Sequence, residues 1–271
     1  MPLPNLQVIP GAVQKNIDVT ANLVEVFSAI QGEGLNVGTR QIFLRFGGCD
    51  LRCRFCDSVH TWHPSNLCRV EQAPGARDFI THPNPVAIAP LLDWVARQHQ
   101  PPNLHDSISL TGGEPLLQAP FLAAFLPQVR DRTPLPIYLE TGGHLPEALD
   151  LVLPYLNSVG MDLKLPSVSG EAHWEAHDQF LRRCVDARME VFCKLIVSNE
   201  TAIADLDQAT ALIGAVDPRL PVYLQPVTPT SSASPWLPPS PEQVLAWQAQ
   251  MKQTLIQVRV VPQTHKAIGQ L

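Results

Sequence analysis

Apolar residues in this chain fall into two alternating rhythms. Short β-branched runs at 42–45, 107–111, 137–140, 158–163, 191–197, 222–225 and 258–261 predict strands. Longer amphipathic stretches at 85–99, 120–130, 146–155, 174–188, 201–215 and 241–254 predict helices, several of them opening on Pro or Thr. Strand alternating with helix marks successive βα units around a parallel sheet. About six such units predict an α/β fold of the partial, open TIM-like barrel kind, short of the full eight. Proline-dense interruptions in the N-terminal tail and at about 63–85 and 226–241 predict loops, the first of the two internal ones a polar surface insertion and the second rich in Pro and Ser.

Composition narrows the picture. At 271 residues the chain can bury one good core, so a single domain over 1–271 is expected. Hydrophobic content of 45% with mean hydropathy near zero describes a soluble globule. No apolar run approaches the roughly 18 to 20 residues that cross a bilayer, so no membrane partner is expected. The formal charge is −6 and no Lys/Arg cluster exceeds a pair, which removes the electrostatic drive toward nucleic acid and favours a small-molecule substrate. The opening Met-Pro-Leu-Pro carries no apolar leader, giving the expectation of a reducing cytoplasm and free thiols.

Three of the six cysteines stand in one tight row, Cys49-x3-Cys53-x2-Cys56. Three thiolates so close can face one metal centre, and stopping at three leaves an iron of a [4Fe-4S] cluster unclaimed by protein. A structural zinc site wants four ligands, usually in two pairs, and the spacing here is a triplet. Cys68 could in principle supply a fourth ligand, but it lies in the stretch expected to be a surface loop. Cys184 and Cys193 read as buried small hydrophobes.

A parallel barrel presents its chemistry at the C-terminal ends of its strands. Those ends are polar here: Arg45 before the cysteine loop, Thr111-Gly-Gly-Glu-Pro115, Glu140-Thr-Gly-Gly143, Asp162-Leu-Lys164, Ser198-Asn199, Gln225 and Gln263-Thr-His-Lys266. Paired glycines at a strand end let backbone groups approach a ligand with no side chain between, and Glu114 adds an acceptor beside them.

The cysteine spacing, with Phe55 before the last ligand, resembles the signature of the radical S-adenosylmethionine (SAM) superfamily, which implies a radical SAM core. Thr111-Gly-Gly-Glu-Pro115 resembles that superfamily's Gly-Gly-Glu motif, which implies that Gly112, Gly113 and Glu114 hold the amino end of SAM. By the same resemblance Phe55 and Asp57 meet the adenine side, and Thr141, Asp162, Lys164 and Gln225 the ribose and methionine carboxylate. The segment Val24-Glu-Val-Phe-Ser-Ala-Ile-Gln-Gly-Glu-Gly34, with Arg45, Cys56-Asp-Ser58, Asp162-Leu-Lys-Leu-Pro166 and Val258-Arg-Val-Val-Pro-Gln-Thr-His-Lys266, is similar to the 7-carboxy-7-deazaguanine synthase family. These points span about residues 22 to 268, and the departures are the insertion after Ser58 and the Ser/Pro-rich stretch.

The resemblance implies a lyase that contracts 6-carboxy-5,6,7,8-tetrahydropterin to 7-carboxy-7-deazaguanine with release of ammonia, feeding queuosine and related deazapurines. It implies Arg45 on the substrate carboxylate, Glu33 accepting from the pterin amine, Ile30, Gln31 and Gly32 offering backbone contacts, Thr111 a hydroxyl and His265 a closing contact. Ser58 would help hold Mg²⁺, although the bare sequence also allows it as a helix N-cap. A homodimer and a flavodoxin- or ferredoxin-type electron donor follow by resemblance alone. Three rivals stand beside this reading: a glycyl-radical-enzyme activating enzyme, a zinc-binding module and an RNA-modifying radical enzyme.

Overall fold

The computed structural model describes residues 19–229 and 236–270. The N-terminal tail and positions 230–235 of the loop expected over 226–241 lie outside the described residues. The strands are β1 (Thr20–Ala21), β2 (Leu23–Ile30), β3 (Arg40–Phe46), β4 (Leu67–Glu71), β5 (Phe79–Pro83), β6 (Val86–Ala87), β7 (Ser107–Gly112), β8 (Ile137–Thr141), β9 (Ser158–Asp162), β10 (Glu190–Val197), β11 (Val222–Pro226) and β12 (Val258–Val260). β1 and β6 pair by themselves, and the other ten form one sheet in the order β12-β11-β10-β9-β8-β7-β3-β2-β4-β5.

From β3 through β7 to β12 every neighbour is parallel. The returns are made by α1 (Ile88–Gln98), α2 (Ala119–Arg132), α3 (Pro146–Val152), α5 (Trp174–Asp186) after the single turn α4 (Pro166–Ser169), α6 (Ile203–Val216) and α7 (Pro241–Met251), and α8 (Thr264–Ala267) follows β12. The sheet does not close, since β12 and β5 are its two edges. This is the open α/β barrel the alternation predicts. Among the described residues no helix is long and apolar enough to cross a membrane.

A two-residue period sorts each parallel strand between two surroundings. Ile42, Leu44, Ile108, Leu110, Leu139, Val159, Met161, Leu195, Val222 and Leu224 belong to the main core with the helices. Their alternates Phe43, Tyr138, Phe192 and Tyr223 form separate aromatic clusters. Gly160 makes room for that packing, because a Cβ there would lie 2.3 Å from Tyr138 Oη. Arg45, Thr111, Glu140, Asp162, Lys194 and Gln225 share the parity of the aromatic set, and all line one cavity.

Two expectations are corrected. Residues 63–85 are not a surface loop: β4 and β5 make an antiparallel hairpin, and β4 extends the main sheet parallel to β2. Cys68 and Val70 alternate into the core while the prolines stand at the flanks and the turn, so the proline count concealed a strand pattern. Cys68 is buried there and does not line the cavity. The run 23–30, read only as a motif, is an eight-residue strand antiparallel to β3. Cys184 and Cys193 are fully buried in α5 and β10, as expected.

Candidate active site

β3 ends at Phe46 and the chain passes through Gly47-Gly48 into the cysteine loop. That loop is fixed by its backbone: Gly47 N–H donates to Asn22 O (2.9 Å), Gly48 N–H to Thr61 O (2.8 Å) and Arg54 N–H to Ser169 O (3.0 Å). The loop after β7 adds Gly113 N–H to Phe46 O and Glu114 N–H to Gly48 O, both 2.9 Å. A Cβ on Gly113 would lie 2.1 Å from the Gly48 carbonyl oxygen. The paired glycines are thus required for two loops to pack together, beyond any contact with a ligand.

Cys49, Cys53 and Cys56 face a cavity of about 690 Å³. Burial pushes all three thiols above their ordinary value, Cys53 to about 11. Glu114, 1% exposed, accepts from Thr141 Oγ1 (2.8 Å), Gly142 N–H (2.8 Å) and Leu116 N–H (3.0 Å). Phe55 lies under the Lys164 ammonium, 5.4 Å from its ring centroid.

Across the cavity, charges alternate. Lys164 pairs with Asp162 at 3.0 Å, Lys194 lies 3.6 Å from the same carboxylate, and Lys194 also pairs with Glu33. Burial alone would raise the Glu33 pKa, but the Lys194 charge and hydrogen bonds from Lys194 and Gln263 bring it down to about 2. Glu140 accepts from Gln31 Nε2 (2.8 Å) and Thr111 Oγ1 (2.6 Å).

The segment after β12 straps the mouth. Thr264 N–H donates to Gly32 O (3.0 Å), and a Cβ on Gly32 would lie 2.4 Å from the His265 backbone nitrogen. Gln263 Nε2 donates to Glu33 (2.7 Å) and Asp57 (3.0 Å), and Lys266 pairs with Asp57 at 2.7 Å. Burial would raise the Asp57 pKa, yet Lys266, Gln263 and Ser58 together hold it well below the usual carboxylate range. Burial lowers the pKa of His265. Ser58 occupies the N-cap position of a 3-10 turn over Val59–Thr61, but its hydroxyl makes no cap bond and donates to Asp57 Oδ1 at 3.0 Å.

Every residue assigned a ligand or substrate contact from the sequence lines this cavity, from Ile30, Gln31, Gly32 and Glu33 through the cysteine loop to Gln225 and His265. Two details differ. The backbone groups of Gln31 and Gly32 are engaged within the protein, with Thr39, Gly38, Thr264 and the Gln31 side chain. Ser198-Asn199 turns away to enter α6, with Ser198 N–H on Thr201 Oγ1, and β10 reaches the cavity through Lys194 and Ile196 instead. Sequence reading missed Glu25, Trp62, Arg69 and Lys194 as site residues, while Gln263 and Lys266, named only as part of a polar strand end, line the cavity too. Lys194 had a usable signal as the lone charge in the apolar run 191–197.

The cavity suits the cofactors implied. Three thiols on one loop face it, and the remaining cysteines are buried elsewhere. Asp162 Oδ1 and Gln225 Oε1 are buried acceptors without a partner, as ribose hydroxyls or an ammonium would require.

An open parallel barrel whose first parallel strand runs into a three-cysteine loop defines a radical SAM protein. A family model described as a 4Fe-4S single cluster domain matches residues 30–163. In fold, the chain resembles QueE from Escherichia coli (TM-score 0.58, 18% identity, 92% of this chain and 99% of that one). It also resembles a radical SAM methyltransferase from Sphaerobacter thermophilus (TM-score 0.60, 15% identity, 83% of this chain and 66% of that one). The 7-carboxy-7-deazaguanine synthase of Geobacter sulfurreducens is 43% identical over 93% of this chain and 98% of its own, and that of Methanothermobacter thermautotrophicus 32% over 92% and 97%. The chain belongs to the 7-carboxy-7-deazaguanine synthase family.

Proposed function

We propose that this protein converts 6-carboxy-5,6,7,8-tetrahydropterin to 7-carboxy-7-deazaguanine with release of ammonia, a radical SAM carbon–nitrogen lyase. The observation that carries the reading is near-full-length identity of 43% to a 7-carboxy-7-deazaguanine synthase, in a chain whose Gln31-Gly-Glu-Gly34 loop, Arg45 and cysteine loop open on one cavity. When bound, the cluster and SAM supply a 5′-deoxyadenosyl radical that takes a hydrogen from the substrate.

The chain's own residues bind, aim and shield. Cys49, Cys53 and Cys56 hold the cluster. Glu114, Gly112 and Gly113 take the amino end of SAM, Phe55 and Asp57 the adenine side, and Thr141, Asp162, Lys164 and Gln225 the ribose and carboxylate; the unpartnered acceptors on Asp162 and Gln225 support the last group. Glu33, kept ionised by Lys194, serves only as an acceptor for the pterin amine and ring N–H. Arg45 offers a fork to a carboxylate, Thr111 a hydroxyl, and His265 on the strap closes the site and excludes water.

Ser58 is the assigned protein ligand for Mg²⁺, in keeping with a hydroxyl free of capping duty at the cavity wall. Such an ion would act as a Lewis acid on the substrate's oxygens. Ser58→Ala should blunt the Mg²⁺ dependence while SAM binding survives, and an unchanged magnesium response would remove the assignment. A flavodoxin- or ferredoxin-type donor, a homodimer and a cytoplasmic setting complete the reading, the dimer being testable by sedimentation. The decisive test is anaerobic reconstitution with iron and sulfide, then SAM, dithionite, Mg²⁺ and the carboxytetrahydropterin, with products read by mass spectrometry. Formation of 7-carboxy-7-deazaguanine and ammonia is expected, whereas 5′-deoxyadenosine without the deazapurine would refute the substrate and leave the radical SAM class standing.

A further inference from the structure

The β4–β5 hairpin is an addition to the βα repeat, and the reading above gives it no task. Its inner strand bears directly on the cavity. β4 runs parallel to β2 with Arg69 in register with Glu25, while β3 on the other side of β2 sets Arg45 against the same residue. The Glu25 carboxylate, on a residue 4% exposed, receives Arg45 Nε at Oε1 (2.7 Å), and Arg69 through Nε (2.7 Å) and Nη2 (2.5 Å) at Oε2. Each guanidinium also lies over an aromatic ring, Arg45 over Phe27 at 5.3 Å and Arg69 over Phe79 of β5 at 4.4 Å.

The charge balance on this wall depends on the hairpin. Glu25 and Arg45 alone would form a neutral pair, offering an anion hydrogen bonds but no net charge. Arg69 turns that pair into a trio with one positive charge in excess. Glu25 takes the Nε side of both forks, and among the described residues no other partner is recorded for the Arg45 Nη groups or for Arg69 Nη1. Forked guanidiniums with free Nη groups on a cavity wall suit a carboxylate, which can accept from both at once.

Resting on the pterin reading, we propose that the hairpin exists to deliver Arg69 as a second cation of the substrate-carboxylate subsite. The C6 carboxylate is taken by Arg45 and Arg69 together, and Glu25 fixes both. Arg69 is then a specificity-determining residue absent from the βα repeat itself.

The test is equilibrium binding to protein loaded with cluster and SAM, without reductant, so that no turnover occurs. Two ligands are titrated anaerobically by calorimetry: 6-carboxytetrahydropterin and tetrahydropterin lacking the 6-carboxylate. Wild type should prefer the first. Arg69→Gln should weaken the carboxylated ligand on the order of tenfold or more while leaving the other within about twofold, as loss of a charge-assisted hydrogen bond predicts. Arg69→Lys, which keeps charge but not the fork, should fall between and carries the same test should the Gln variant not fold. An unchanged preference, or equal weakening of both ligands, overturns the subsite and leaves Arg69 a structural partner of Glu25. If wild type binds neither pterin, the substrate reading itself fails, and the two failures are told apart by the wild-type titration.

Discussion

Lys194 illustrates how one side chain sets the chemistry of another far along the chain. It is the only charge among seven residues at 191–197, and its ammonium meets Glu33, 161 positions away. Removing one member of a buried pair leaves the other uncompensated, at a cost of about 3–5 kcal/mol. Lys194→Met is therefore expected to raise the Glu33 pKa from about 2, since burial is then opposed by the Gln263 hydrogen bond without the Lys194 charge. Carboxyl ¹³C chemical shifts against pH would report this, and a Glu33 still titrating near 2 would refute the coupling. The cysteines make a simpler case. Replacing Cys49, Cys53 or Cys56 by Ala should abolish iron binding, while Cys68→Ala should retain it; iron loss in the Cys68 variant would break the three-ligand reading. The triplet was legible because its members are neighbours in the chain, and the Glu33–Lys194 pair was not, because nothing local specifies which strands lie opposite.

Secondary structure around the mouth shows how elements remote in the chain close a site. The strap at 263–270 rests on Gly32 through Thr264, Ile30 N–H reaches the Gln270 side chain, and Arg77 in the hairpin turn donates to Gly269 O. Gly32 is the tight point, its missing Cβ replaced by His265 backbone and ring. Gly32→Ala should lift the strap, costing about 1–3 kcal/mol of overpacking, with faster amide exchange at Thr264 and a higher KM for substrate. Unaltered exchange at Thr264 would mean that the strap adjusts without opening. At 63–85 proline density, a loop signal, competes with the alternation Leu67-Cys-Arg-Val-Glu71, and in the fold the alternation prevails because the prolines sit outside β4.

Taken over the full molecule, buried titratable groups set the response to acid. His177 and His105 are held by burial at about 3 and about 4, so they stay neutral when folded and take up protons on unfolding. A depressed histidine leaves stability complete above about pH 6.5 and erodes it as pH falls toward the folded value, by about 1.4 kcal/mol per pH unit for each proton. Glu33 has the opposite charge and a lowered folded pKa, so its contribution is present above about pH 4.5 and lost as pH falls to about 2. Urea melts should thus weaken in two stages, and Glu33→Gln should flatten only the lower one; a single transition below pH 4 would contradict the histidine stage. The βα alternation, the cysteine triplet and the polar strand ends were readable in the chain because helix and strand periods and ligand spacing are local properties. Which walls those strand ends share, the hairpin that brings Arg69 to Glu25, and the strap that lays His265 on Gly32 arose from packing, because contacts between residues far apart in sequence exist only once the sheet has set their distances.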